Sequence, residues 1–195
     1  MKNLTIYIVW ALLCLNMGTH AQEIKPLKVG QKVPLAILQQ NMPLINGSGN
    51  PTDSIALNAY KGKLIILDFW ATWCSSCIYQ FDKLAKLQQR YQNQIKILLV
   101  NQTNTKDTPQ RMQAIFNGTS APFIKSSLAS IYNDTVLGKL FAHQYLPHYA
   151  WIGSNAELLA LTNADLVNEQ AIKGLLAAQE REQTQMLKHQ KQNKP

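Results

Sequence analysis

The order of apolar patterns along the chain predicts a single α/β domain, and three observations carry that prediction. Residues 63–70, KLIILDFW, and residues 95–100, IKILLV, are continuous apolar runs with β-branched and aromatic members, the pattern of strands buried on both faces. Between them Ile78, Phe81, Leu84, Leu87 and Tyr91 recur at helical spacing, which makes the segment a strand–helix–strand unit with parallel strands and a right-handed crossover. Residues 148–153, HYAWIG, and 157–162, ELLALT, flank the turn Gly153-Ser154-Asn155 and read as two antiparallel strands. No internal repeat and no second domain is visible.

The remaining elements follow in chain order. Lys2, the apolar run LTIYIVWALLCL over residues 4–15 and the segment NMGTHA ending in Ala21 have the layout of a secretory signal peptide, residues 1–21, cleaved after Ala21. The run falls short of the roughly 20 residues that span a bilayer; an uncleaved anchor is the alternative. Leu12 and Leu13 stand before Cys14, where a lipoprotein signal would want small residues. Residues 25–50, rich in Pro, Gly, Asn and Gln, read as an irregular lead-in with at most short strands, and Tyr60-Lys61-Gly62 as a turn. The helical pattern covers residues 75–93. Thr108 and Pro109 begin a helix to Phe116, as N-cap and first residue. Residues 121–133 show no clear pattern, and Asp134 is placed to cap a short helix through about His143. Residues 168–187 form a closing amphipathic helix with Ile172, Leu175 and Leu176 inward, and the end of the chain is polar and expected to fray. The domain therefore runs over residues 22–180, its core from about residue 27, with a polar tail at 181–195.

Composition narrows the function classes. The chain has 195 residues, 46% hydrophobic and 15% charged, with 19 Lys+Arg against 11 Asp+Glu and a net charge of +8. That hydrophobic fraction excludes a wholly disordered chain. Three cysteines cannot staple a disulfide-rich miniature scaffold. The basic residues are scattered and partly in the tail, with no basic helix or aromatic RNA motif, so no nucleic-acid partner is expected. Removal of residues 1–21 discards Cys14 and leaves Cys74 and Cys77, spaced C-x-x-C, to hold whatever thiol chemistry exists.

That chemistry is expected at Trp73-Cys74-Ser75-Ser76-Cys77. A C-x-x-C between a buried strand and a helix puts its first cysteine at the helix N-terminus, where unpaired N–H groups and the helix dipole favour an anion. Cys74 is thus the expected nucleophile. Cys77, three residues on, lies on the same side of the first turn and can attack a mixed disulfide on Cys74. Half a zinc site is the competing reading, but no second ligand pair follows at zinc spacing. A purely structural disulfide would close too short a loop to stabilise much. Asp68 sits on an otherwise apolar strand six residues before Cys74; desolvated there, it would hold its proton tightly and take the proton from Cys77. Its alternative is a strand-end carboxylate facing solvent or paired with a lysine. Pro147 precedes a strand; in the cis form it would bring the chain beside the cysteines and offer Leu146 backbone groups to an extended substrate. The alternative is an ordinary trans proline.

The stretch LIILDFWATWCSSC, Leu64 to Cys77, resembles the active-site strand and turn of the thioredoxin superfamily. The lead-in Val29-Gly30-Gln31-Lys32-Val33-Pro34, the turn Tyr60-Lys61-Gly62-Lys63 and the long stretch from Asn101 to Pro147 are most similar to the TlpA/ResA-like extracytoplasmic thiol–disulfide oxidoreductases, especially Bacteroidetes-type redoxins. The resemblance covers about residues 27–180. It implies a thioredoxin-like fold, a central mixed sheet flanked by helices, with the TlpA-like N-terminal extension and central insertion. It implies an exposed nucleophile at Cys74, a buried resolving cysteine at Cys77 and a buried acid at Asp68. Trp73 resembles the flanking tryptophan that shapes the substrate surface, the alternative being an aromatic packed on the helix, and Pro147 resembles the cis proline. Ser75-Ser76 replaces the more usual Gly-Pro or Pro-Pro, His148 stands where thioredoxins favour Thr, and no clear equivalent exists of the lysine that neighbours the buried acid.

The expected function is therefore an exported enzyme, a thiol–disulfide oxidoreductase of the disulfide-reductase type. It would use no cofactor and no metal, act on protein disulfide or dithiol substrates, draw on a membrane or envelope electron donor, work as a monomer and reside in the periplasm or cell envelope. Two alternatives differ in class. A copper-handling protein would use Cys74, Cys77 and His143 or His148, although such proteins space their cysteines further apart. A thiol peroxidase would want a proline with Thr72 upstream of its cysteine, and that proline is missing.

Overall fold

The computed structural model describes residues 24–46 and 53–192; the expected signal peptide with Cys14 lies outside the described residues. Seven strands form one mixed sheet: β1 Met42–Ile45, β2 Asp53–Ile55, β3 Leu64–Trp70, β4 Ile95–Gln102, β5 Ser130–Asp134, β6 His148–Ile152 and β7 Leu158–Thr162. Their order across the sheet is β2-β1-β5-β4-β3-β6-β7. The three central strands, β5, β4 and β3, run parallel, while β1, β2, β6 and β7 join antiparallel at the edges. All seven residues of β3 are buried, as its continuous apolar sequence requires of a central strand.

Helices cover both faces. The first face carries α2 Ser75–Ile78, α3 Phe81–Arg90, α4 Pro109–Phe116 and α6 Glu169–Gln192, whose Phe81, Leu84, Met112, Ile115 and Ile172 pack on Leu64, Ile66 and Trp70 of β3. Trp70 anchors this layer, its ring 5.1 Å from Phe81 edge-on and 5.4 Å from Phe116. Aromatic pairs of this kind add ~0.5–1.5 kcal/mol beyond their area burial. The opposite face takes Ile65, Leu67 and Phe69 of β3 against Val33, Leu57 and the short α5 Leu137–Leu140 with Phe141. The lead-in closes this side. Leu27 N–H donates to the Leu140 carbonyl, Gly30 N–H to Leu158 and Val33 N–H to Ala156.

The helix expected over 75–93 is two helices. At Gln80 the backbone N–H bonds to the Cys77 carbonyl three residues back, a tightened turn that separates α2 from α3. The lead-in holds one helical turn, α1 Leu35–Gln39, and strand β1. The unpatterned 121–133 stretch ends in β5, whose Ser130 and Ile131 pair with Leu99 and Val100. Thr108 and Asp134 cap as expected. The Thr108 hydroxyl accepts the Arg111 N–H at 3.3 Å, and the Asp134 carboxylate accepts from Val136, Leu137 and Gly138. The capped helix stops at Leu140 rather than near His143. Residues 181–192 continue α6 as an exposed helix, carrying Gln, Lys, Glu, Met and Leu of good helix propensity.

Candidate functional site

The β3–α2 junction builds the site. β3 ends at Trp70, and four residues later Cys74 occupies the N-cap of α2. Its sulfur stands where an N-cap oxygen would, accepting the Cys77 N–H at 3.3 Å, with the Ser76 hydroxyl 3.5 Å away. Cys74 and Cys77 are joined as a disulfide, their Cα atoms 5.3 Å apart. Cys74 retains 6% exposure, whereas Cys77 is sealed. Both cysteines are thus largely buried, Cys74 less completely than Cys77, so the exposed nucleophile that the resemblance implied is only slightly exposed here, although the order, Cys74 outside Cys77, is the one that nucleophile and resolving cysteine require.

Asp68 lies on the same face of β3 as Leu64, Ile66 and Trp70, the face whose layer includes both cysteines. It is wholly buried, so it is neither a solvent-facing strand end nor a lysine's partner, and neither carboxyl oxygen has a hydrogen-bond partner. Burial pushes its proton affinity well above the usual carboxylate range, and the nearby Tyr149 hydroxyl draws it part of the way back. Tyr149 sits directly across on β6, in register with Asp68. Its hydroxyl is also without a hydrogen-bond partner, so the two are neighbours with the bond unformed. Burial and the adjoining carboxyl keep the phenol protonated.

The Leu146–Pro147 bond is cis, the isomer that the resemblance implied, rather than the alternative of an ordinary trans proline. Leu146 is half-buried and packs against the layer containing the cysteines. Trp73 is 65% exposed, its indole N–H directed to the Thr105 carbonyl at 3.4 Å, so it is not an aromatic buried on the helix. Trp73 and Leu146 line the same cleft of about 540 Å³, walled by Thr103, Thr105, Lys139 and Tyr145.

Asp107 was not singled out by sequence, yet it holds the loop in front of Cys74. Its carboxylate accepts the Thr72 N–H at 2.8 Å, the Thr72 hydroxyl and the Asn101 amide at 2.7 Å. Asn101 also donates to the Trp70 carbonyl. The strand end, Thr72 and the Thr105 loop that receives Trp73 thus form one network. A carboxylate two residues before a proline-initiated helix carried no more signal than an ordinary turn.

His143 and His148 stack on each other, centroids 4.7 Å apart at 11°, and both rings lie against Phe69. Phe69 belongs to the layer on the face opposite the cysteines. The structure therefore does not bring the copper reading's ligands together, and no group of three or more His, Cys, Asp or Glu is arranged to hold a metal among the described residues. Burial, with His143 alongside, holds His148 down to about 4, a neutral ring.

Comparison with known proteins agrees with this geometry. The family model described as Thioredoxin matches residues 54–119, which include Asp68, Trp73, Cys74 and Cys77. The chain is 34% identical over 59 residues to the thioredoxin-like protein YneN of Bacillus subtilis, covering 30% of this chain and 35% of that one. It is 31% identical over 85 residues to the thiol-disulfide oxidoreductase ResA of Geobacillus thermodenitrificans, covering 43% and 48%. The matched region thus spans less than half the length of either relative. Among solved structures, a thiol:disulfide interchange protein DsbE from Chlorobium tepidum superposes with a TM-score of 0.59 at 22% identity, covering 77% of this chain and 99% of that one, and shows the shared fold.

Proposed function

We propose, from the thioredoxin domain that this chain carries, that the protein is an exported thiol–disulfide oxidoreductase acting as a disulfide reductase on protein substrates. The observation that carries this reading is the Cys74–Cys77 disulfide at the β3–α2 junction, with Cys74 slightly exposed, Cys77 sealed, and the buried Asp68 carboxyl on the same face of the sheet. In the dithiol form, the Cys74 thiolate attacks a substrate disulfide. That S–S bond breaks, one substrate thiolate leaves, and a mixed disulfide forms on Cys74. Cys77 then passes its proton to the ionised Asp68 carboxyl, and the resulting thiolate attacks the Cys74 sulfur. The second substrate thiolate leaves, the Cys74–Cys77 bond closes, and two electrons have passed to the substrate. An envelope electron donor must return them. Trp73, Leu146 and the cis Pro147 hold the extended substrate along the cleft. Residues 1–21 direct export, residues 22–180 form the working domain with the polar segment 181–195 beyond it, and the protein acts as a monomer in the periplasm or cell envelope. No helix among the described residues is long and apolar enough to cross a membrane.

Acid-quenched thiol trapping of cells tests the reading. A Cys77→Ser variant should accumulate mixed disulfides with client proteins through Cys74, and a Cys74→Ser variant should accumulate none. Equal patterns in the two variants, or a pair that never changes oxidation state, would overturn it.

A further inference from the structure

The layer under the disulfide contains two polar groups without partners, the Asp68 carboxyl and the Tyr149 hydroxyl. They face each other across β3 and β6, and both residues are sealed from solvent. Of the other partnerless buried atoms among the described residues, His148 Nε2 belongs to the opposite face and Gln179 Nε2 to α6, while the buried Asn101, Ser130 and Asp134 are engaged elsewhere. Asn101 donates to Trp70 and Asp107, Ser130 accepts the Trp70 indole and donates to Ile131, and Asp134 caps α5. On β4 the residue paired with Asp68 is Leu99, and from α2 the same layer receives Cys74 and Cys77. The stacked histidines lie with Phe69 on the opposite face.

A protonated carboxyl tolerates such a site. An ionised one does not, unless a donor turns towards it, because a buried charge left without a hydrogen bond is strongly disfavoured. The exchange proposed above requires Asp68 to be ionised just before it receives the Cys77 proton. Among the described residues, the Tyr149 hydroxyl is the side-chain group that lowers the proton affinity of the carboxyl, and its phenol keeps its own proton.

We propose that Tyr149 is a positioning residue for Asp68: its hydroxyl turns to donate to the carboxylate when Asp68 ionises, and so sets the pH at which Asp68 can accept the Cys77 proton. This rests on the reading of Cys74 and Cys77 as an exchange pair and deepens it. The step is balanced. One proton moves from the Cys77 sulfur to an Asp68 oxygen, and the Tyr149 hydrogen bond forms before the transfer and relaxes after it. Tyr149 itself neither gains nor loses a proton.

The test is titration of the Asp68 carboxyl carbon by NMR in the intact oxidised protein, with Asp68→Asn identifying the signal. Tyr149→Phe should raise the midpoint by about one pH unit, a tenfold change in proton affinity. The rising limb of the pH profile for reduction of a protein disulfide should move with it, and in an Asp68→Asn background Tyr149→Phe should slow exchange no further. An unmoved midpoint overturns the proposal, as does equal slowing in both backgrounds. Should Tyr149→Phe not fold, the wild-type Tyr149 ring carbon beside the hydroxyl provides the measurement: it should shift with the Asp68 midpoint, and a flat signal overturns the proposal. The outcomes separate the two claims. A raised midpoint in a protein with no exchange activity supports the Tyr149 coupling and sinks the functional reading, whereas normal exchange with an unmoved midpoint sinks only the role of Tyr149.

Discussion

Asp68→Asn should stabilise the oxidised protein increasingly as pH rises. The carboxyl is sealed, and desolvation lifts its proton affinity well above the ordinary value near 3.8. Above that ordinary value the unfolded chain has released this proton while the folded chain still holds it. The folded state then binds one proton more, so its stability falls with pH by up to about 1.4 kcal/mol per unit. The fall ends once pH passes the folded-state midpoint. Asparagine carries no proton and removes the slope, while its own burial adds only a constant offset. His148 acts in the opposite sense. Held down to about 4 from an ordinary 6.5, it makes stability rise with pH between those values. It is present in both proteins and cancels in their difference. The assay is urea unfolding at half-unit steps from pH 4 to 8, with the disulfide intact so that no thiol titrates. The variant's advantage should widen with pH above the ordinary carboxylate value and stop widening only once the folded-state midpoint is passed. A difference that stays constant from pH 4 to 8 would refute the reasoning, since it would mean that Asp68 ionises as freely folded as unfolded.

Three further substitutions probe the surroundings of the site. Asp107→Ala removes the acceptor of the Thr72 backbone, the Thr72 hydroxyl and Asn101; it should cost about 2 kcal/mol, read as a fall of ~4–8 °C in Tm. Ser130→Ala leaves the buried Trp70 indole N–H without its 2.9 Å partner and should cost about 1–3 kcal/mol in urea unfolding. Trp73→Ala, at a side chain 65% exposed, should leave stability within ~0.5 kcal/mol. The same change should lower kcat/KM for a protein disulfide about tenfold while leaving reduction of a small disulfide nearly intact, as expected for an aromatic anchor of the bound chain.

The parts of the fold written in continuous patterns were legible beforehand, and the parts written in single residues were not. The runs of β3 and β4 left no room for another assignment, because a strand between two helical layers must be apolar on both faces. Asp68 was conspicuous for the same reason, as the one charge in the β3 strand Leu64–Trp70. β5 escaped notice because Ser130-Ile131-Tyr132-Asn133-Asp134 is short and half polar, and its place in the sheet comes from pairing with β4 and β1 rather than from its own composition. The break at Tyr79-Gln80 has no proline or glycine to announce it. At the site, the Cys74–Cys77 pair was visible in its C-x-x-C spacing, and Pro147 in its place before a strand and its resemblance to the family's proline. Tyr149 and Asp107 depend on neighbours 81 and 35 residues away, Asp68 and Thr72; a tyrosine on a strand and an aspartate in a turn look alike whether or not they face such a partner.

The central claim is that Cys74 and Cys77 form a working redox couple rather than a structural staple. Equilibrating the folded protein in glutathione buffers of graded potential, and counting free thiols by alkylation and mass spectrometry, tests it most directly. The pair should open and close reversibly in a single two-electron transition, tenfold in the dithiol-to-disulfide ratio for each ~30 mV, with a reducing midpoint. A disulfide that stays closed across the whole range and yields only when the protein is unfolded would contradict the account.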